Sequence, residues 1–434
     1  MTRSCQLNGD LARALLFCSW LTVTCIFEGE LMDDAVTTRL SEALVGAVLN
    51  TEPAQGLTHG FYQYPARFSP AFVRAAIAAF SQPGDVVLDP FMGSATTLVE
   101  ALIAGRHAIG SDINTLAHFL AQVKTTLLAP HACAEIEQWA SSIQERLLLA
   151  GPRRVASLPL PSPNAPSQWG IPWSIRQTIA RILAEADQFP LPQQRNLVRC
   201  ALLRTGQWAL DCTSTHPSAP AFRQQFVAIL HEFLQGLTEL RETLAQAGGD
   251  TTPQVVCLNV PAAHLEPTLW EPAIGQKPSL ILTSPPYPSV HVLYHRWQIR
   301  SRKEVTTLYW IADQLDGHGE AYYTMGSRTP TGLDNYFRDI ESSFARLHRV
   351  VAENALVVQL LAFSHIDTQL PRYLAAMERA GFVECSYELE DGSAVERVWR
   401  RVPLRRWYAS HQGHTSSSQE VLLIHQRLSR GGGT

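Results

Sequence analysis

The chain has no surplus of positive charge: 35 Lys and Arg stand against 39 Asp and Glu, for a formal net charge of −4. No global field therefore draws it to nucleic acid, and any basic surface must be local. Its eight cysteines show no C-x-x-C spacing. That excludes the usual zinc and dithiol frameworks, and they read as reduced, mostly core thiols of a cytoplasmic protein. Long apolar runs are scarce. The only one, residues 11–27, is short for a membrane span and lacks both a strongly basic start and a small-residue cleavage site. No internal repeat is visible. What remains is an ordinary globular composition, 46% hydrophobic and 17% charged over 434 residues, enough for one large α/β domain and a helical one.

Two stretches stand out. Leu280-Ile281-Leu282 reads as the end of a buried strand and runs into Thr283-Ser284-Pro285-Pro286-Tyr287. Each proline fixes φ and removes a backbone donor. The result is a stiff turn whose carbonyls and serine hydroxyl face a cleft, with Tyr287 as its wall. Such a site suits an amino group on a flat ring, which donates hydrogen bonds while the ring stacks. The bland reading is a proline-stiffened loop with a core tyrosine.

The second stretch lies nearly two hundred residues earlier. Val86-Val87-Leu88 ends in Asp89, passes the small-residue turn Pro90-Phe91-Met92-Gly93-Ser94-Ala95-Thr96, and enters a helical pattern from Leu98 to Leu102. An α/β nucleotide fold presents backbone N–H groups in this way at the carboxyl edge of its sheet. A further strand, Ala108–Ser111, ends in Asp112. An acid at that place can accept hydrogen bonds from ribose hydroxyls.

Together these motifs resemble the S-adenosylmethionine-dependent amino-methyltransferases of DNA, of the SPPY type. The family's cofactor motif, D-P-F-x-G-S-G-T, is met from Asp89 to Thr96 except that Ala95 replaces the second glycine, which narrows the room for positive φ there. The aromatic segment His59–Phe68 is similar to one that closes over the methionine end of the cofactor. The resemblance covers roughly residues 58–125 and 253–425. It implies a Rossmann-like methyltransferase sheet, S-adenosylmethionine as cofactor and DNA as partner, and leaves open a cognate restriction enzyme and the oligomeric state. The cofactor is expected at Tyr64, Asp89, Pro90, Phe91, Gly93, Ser94, Thr96, Asp112 and Thr283, and catalysis at Ser284, Pro285, Pro286 and Tyr287. No metal is expected.

In order along the chain, residues 1–31 read as an extension, either a docked helix or an overextended reading frame, with Met32 as a natural start. Residues 32–130 carry the cofactor motifs, beginning with a helix over 34–50. From 131 to 250 helical periodicity replaces the α/β rhythm, with a proline-rich linker from Pro152 to Pro172. This predicts an α/β fold with a helical insertion between the second and third strands, the latter at Val255–Leu258, and a role for the insertion in target recognition. Residues 251–428 return to strands and helices, closing with strands over Phe382–Leu389, Val395–Val402 and Val421–Gln426; 429–434 form a flexible tail.

Carbon methylation of cytosine would need, by resemblance to another family, a Pro-Cys motif, and no cysteine here follows a proline. The chemistry expected is direct attack by an exocyclic amine on the sulfonium methyl, the base being flipped out of the duplex. Serine before Pro-Pro-Tyr resembles the cytosine-N4 enzymes more than the adenine-N6 ones. Methylation of RNA stays open, as does a non-catalytic relative that only binds nucleic acid. Two basic clusters are candidates for phosphate contacts: Arg296, Arg300, Arg302 and Lys303, and the run Arg397, Arg400, Arg401, Arg405 and Arg406 with Trp399 and Trp407. A solvated surface is the commoner reading of such runs, but the first follows directly on the Ser284 motif, which favours phosphate contact there. His291, His295 and Asn259 are weaker candidates, the last for the cofactor adenine.

Overall fold

The computed structural model describes residues 37–50, 55–63, 68–149, 171–213, 215–247, 253–288, 296–299, 302–304, 306–315, 325–327, 329–401 and 419–428, all within one unit, Val36–Thr434. The apolar run 11–27, Met32, Tyr64, most of the linker, His291, His295, Arg300, Arg405, Arg406, Trp407 and the tail lie outside the described residues.

The first part runs β1 (Thr37–Leu40), α1 (Glu42–Leu49), α2 (Pro70–Phe80), β2 (Val86–Asp89), α3 (Thr96–Ile103), β3 (His107–Ser111) and α4 (Thr115–Thr125). Four helices follow: α5 (Pro130–Leu149), α6 (Trp173–Ala186), α7 (Pro192–Leu210) and α8 (Ala219–Ala247). The chain then forms β4 (Val255–Leu258), β5 (Leu280–Thr283), β6 (Trp297–Ile299), β7 (Arg302–Glu304), α9 (Thr306–Ala312), α10 (Pro330–Val350), β8 (Leu356–Leu361) and α11 (Ile366–Arg379). It ends with β9 (Phe382–Glu384), β10 (Ser386–Leu389), β11 (Ala394–Val395), β12 (Trp399–Arg401) and β13 (Gln419–Arg427).

The main sheet has the order β12-β13-β8-β5-β2-β3-β4, with β9 also on β13. Strands β4, β3, β2, β5 and β8 are parallel, and β13 closes antiparallel on β8. From β2 the chain winds outward through β3 and β4, then returns to the other flank of β2 with β5. The sheet therefore reverses between β2 and β5, the crevice in which ligands of such folds sit. This is a Rossmann-like methyltransferase sheet, with the helical insertion between its second and third strands.

Both faces of the sheet are covered, which is why its strands read as continuous apolar runs. Val86, Leu88, Ile281 and Val357 pack against Tyr336, Phe344 and Leu347 of α10 and Tyr373 of α11. Val87, Leu280, Leu282 and Val358 pack against Phe72 and Val73 of α2 and Leu98 of α3. The insertion builds a core of its own from residues such as Ile179, Leu197, Phe226 and Leu230, and takes in Phe61, Tyr62, Leu116 and Leu120.

Two local expectations are corrected. The helix expected over 34–50 begins only at Glu42. Thr37–Leu40 is a strand parallel to β10 with alternate residues buried, and the Ser41 hydroxyl caps the helix by accepting from Leu44 N–H at 3.1 Å. The strand expected over Phe382–Leu389 breaks at Cys385 into β9 and β10, which join different sheets. Beyond Tyr287, β6 and β7 pair antiparallel, Trp297 opposite Glu304 and Ile299 opposite Arg302.

Candidate active site

The two motifs meet at the switch point. Thr283, the last residue of β5, donates from Oγ1 to Asp89 Oδ1 at 2.7 Å, joining positions 194 residues apart. Asp89 also accepts from Phe91 N–H at 3.2 Å. Burial pushes its carboxyl up to about 6, against the lowering effect of the bonds from Thr283, Thr97 and Phe91. A buried carboxylate of raised pKa gains from a cation placed beside it.

The turn is held from beneath. Met92 N–H donates to Ser111 O at 3.0 Å, Gly93 N–H to Asp112 Oδ2 at 3.1 Å, and the buried Lys124 Nζ to Ser94 O at 2.8 Å. Gly93 and Ala95 both have positive φ, 42° and 62°. The second glycine of the family motif is thus replaced without changing the left-handed backbone, and Ala95 carries the strain. Helix α3 starts here with no side-chain cap, so its first-turn N–H groups are suited to an anionic group of a ligand. Gly110 of β3 lets the turn settle on the sheet, since a Cβ there would lie 2.6 Å from both Leu98 Cδ2 and Met92 Sδ.

Asp112 is tied into this framework more tightly than the sequence indicated. Besides Gly93 N–H it accepts from Asn114 N–H at 2.9 Å through Oδ1, and its backbone carbonyl accepts from Asn259 Nδ2 at 2.9 Å. Asn259 therefore braces the tip of β3. The aromatic segment is gripped by the insertion: Gln207 of α7 exchanges two hydrogen bonds with the backbone of Gln63, at 2.8 and 3.1 Å, and Phe61 stacks on Phe233 of α8 with centroids 3.9 Å apart. Trp297 of β6 donates to the Tyr62 oxygen at 3.0 Å. These holding residues carried no motif. Only the bulk of Trp297 beside Gly206, where a Cβ would meet its ring at 2.5 Å, is the kind of pairing a sequence can hint at.

Ser284 is half-buried and donates from Oγ to Leu360 O at 3.1 Å. Pro285 is buried and Pro286 half-buried. Tyr287, expected as the wall of a cleft, is only 9% exposed and packs into the core with the sheet and α10, as in the bland reading of a core tyrosine. Its hydroxyl donates to Glu420 Oε1 at 2.6 Å and lies 3.2 Å from Ser284 Oγ. Burial and the neighbouring Glu420 carboxylate raise its pKa well above the ordinary tyrosine value, so it stays a hydrogen-bond donor and is no base.

Two arginines of the second basic cluster are engaged in ion pairs. Arg400 is buried and paired with Glu420 at 2.6 Å, and Arg397 makes a two-pronged pair with Glu384 at 2.8 and 2.7 Å. Neither guanidinium is placed to track phosphates. In the first cluster Arg296 is half-buried at the start of β6, and Arg302 and Lys303 lie on β7.

The sheet order and the two strand-end motifs fit a Rossmann-like methyltransferase fold. Residues 42–122 match the N6/N4 methyltransferase family model described as DNA methylase. The chain is similar to the Type II methyltransferase M.MvaI of Kocuria varians, 35% identical over 117 residues, 26% of each chain. It is also similar to the Type II methyltransferase M.MjaII of Methanocaldococcus jannaschii, 39% over 66 residues, 15% of this chain and 12% of that one. A third relative is the DNA adenine methyltransferase YhdJ of Escherichia coli, 44% over 55 residues, 13% and 19%. The matched segments thus span at most 26% of these relatives' own lengths. The family and fold imply S-adenosylmethionine as methyl donor, and a cationic cofactor fits the buried Asp89 and the turn above it. Among the described residues no helix is long and apolar enough to cross a membrane.

Proposed function

We propose that the chain transfers a methyl group from S-adenosylmethionine to the exocyclic N4 of cytosine in DNA, acting on a flipped base. The observation that supports this most is the Thr283–Asp89 hydrogen bond, because it sets Ser284 beside the cofactor turn. When bound, the cofactor supplies an already activated methyl group. The chain's own residues hold and orient the amine. An exocyclic amine is a poor nucleophile because its lone pair is delocalised into the ring. Ser284 Oγ and the Pro285 carbonyl accept its two N–H bonds and favour a tetrahedral nitrogen, a contact strongest in the transition state. Ser284 gives its own proton to Leu360 O, which leaves it an acceptor toward the amine. The preference for cytosine therefore rests on the serine's resemblance to the N4 enzymes.

Adenine N6 is the second reading, favoured by the similarity to a DNA adenine methyltransferase. The insertion, 131–250, is proposed to select the target; chimeras that exchange it and keep the parent's site preference would refute that. The test of the activity is single-turnover transfer of labelled methyl to DNA followed by digestion to nucleosides, with Ser284→Ala as control. The expected outcome is N4-methylcytosine, lost in the variant while cofactor affinity holds. N6-methyladenine moves the reading to the adenine enzymes. Label only in RNA, or none with cofactor bound, defeats it.

A further inference from the structure

Behind Tyr287 lies a row of buried polar groups that join three parts of the chain. Glu420 opens β13 and Arg400 faces it across the antiparallel pair β12–β13; they are 4% and 5% exposed. Arg400 Nε and Nη2 both approach Glu420 Oε2 at 2.6 Å. Arg400 Nη1 reaches Val48 O, at the end of α1, at 3.4 Å. The other carboxylate oxygen takes the Tyr287 hydroxyl proton at 2.6 Å. A carboxylate this deep is tolerated only when paired and hydrogen-bonded, and a core phenol needs just one acceptor. Maintaining an ion pair to hold one phenol proton calls for a reason at the site.

That reason is the direction of two hydroxyls. Tyr287 Oη lies 3.2 Å from Ser284 Oγ, close enough to donate to it. While Glu420 holds the phenol proton, and Ser284 gives its own to Leu360 O at 3.1 Å, the serine lone pairs stay open to an incoming amine. Without Glu420 the phenol turns to Ser284 and occupies the acceptor. We propose that Glu420, held by Arg400, is a positioning residue for amine methylation: it fixes the Tyr287 ring and keeps Ser284 Oγ an acceptor toward the target amine. This rests on the amino-methyl transfer proposed above.

The test uses the full chain and long unmethylated DNA of mixed sequence. Removing Glu420 alone strands a buried guanidinium and endangers folding, so the background is the charge-free pair Arg400→Met with Glu420→Leu, since apolar replacement of both partners is often tolerated. In that background the single-turnover rate at saturating DNA should fall roughly 10–100-fold, the scale of a small misplacement at a reacting centre. Cofactor affinity by calorimetry and the DNA concentration for half-saturation should stay close to those of the parent. Adding Tyr287→Phe deletes the competing donor and should restore about 5–10-fold, the worth of a hydrogen bond; in the parent the same change should restore nothing. A merely structural role predicts no such rescue. Parent rates in the charge-free background, or the same factor for Tyr287→Phe in both backgrounds, overturn the proposal. A background that does not fold is replaced by the charge-free pair Arg400→Gln with Glu420→Met, which likewise leaves the phenol without its carboxylate acceptor and is read by the same rate loss and the same Tyr287→Phe rescue. A parent that binds cofactor but transfers nothing to DNA overturns instead the function on which this rests.

Discussion

Asp89→Asn should stabilise the cofactor-free protein at neutral pH, and the gain should grow with pH. The folded carboxyl titrates near 6 against an ordinary 3.8, so between those values the native state binds more protons than the unfolded one. Stability contributed by this group therefore falls as pH rises through that window. Integrating the linkage gives a penalty of about 1.6 kcal/mol at pH 5 and about 3 kcal/mol at pH 7.5. The amide keeps an oxygen for Thr283 and Phe91 and carries no titratable proton. Its advantage over the parent should then increase by about 1.4 kcal/mol from pH 5 to pH 7.5, read as the difference in urea unfolding free energies. Other carboxylates titrate alike in both proteins and cancel. The same variant should bind S-adenosylmethionine weakly at pH 7.5, and its affinity should lack the parent's loss of about tenfold per pH unit below pH 6. A stability difference equal at both pH values would show that the burial of Asp89 does not set its ionisation. The reasoning would then fail.

Ala95→Gly should change stability by no more than about 1 kcal/mol: relief of left-handed strain, about 1–2 kcal/mol, is offset by the lost burial of a methyl, about 0.8, and by chain entropy, about 0.5–1. Denaturant unfolding measures the sum, and calorimetry should find cofactor affinity kept or improved. Gly110→Ala should destabilise by about 1–3 kcal/mol through overpacking on Leu98 and Met92, with weaker cofactor binding because Met92 belongs to the turn. A neutral result in thermal melts would mean that the turn does not need this close approach. Asp112→Ala strips acceptors from Gly93 and Asn114 N–H, so the melting temperature should drop along with cofactor affinity, by the ~1–3 kcal/mol of each unsatisfied donor. Unchanged melting with lost affinity would confine Asp112 to the ligand.

The helical insertion has a structural task whatever its part in target choice. Leu57 N–H donates to Glu239 Oε2 at 3.1 Å, Gln207 clamps Gln63, and Gly236 admits the Leu57 backbone, since a Cβ there would lie 2.3 Å from its carbonyl oxygen. The segment before the cofactor turn is thus ordered by helices that come after it in the chain. Events at the insertion or the β6–β7 pair have a packed route to that segment through Trp297 and Tyr62.

The parallel strands were legible because β2 and β5 are buried on both faces and β4 is half-buried on both, so apolar composition alone marks all three within a residue of their ends. The helices over Pro70–Phe80 and Pro192–Leu210 were legible because a proline at the first helical position marks where each begins. The closing edge was legible as strand but not in its breaks or its pairing, for a physical reason. Strands β9 to β12 have two to four residues each, too few to show a period, and their pairing is set by partners far away, as β1 with β10 across 349 positions. The active site divides along the same line. Ser284 and Asp89 announce themselves because their neighbours are chemically odd for a strand end. Glu420 does not, being one acid at the start of an apolar strand, and Arg400 was masked by its basic neighbours. What distinguishes Arg400 from a surface arginine is a carboxylate 20 positions away, brought opposite by the β12–β13 register. That register in turn depends on β13 pairing with β8, so the residues that hold Tyr287 become visible only once the last strand has closed the sheet.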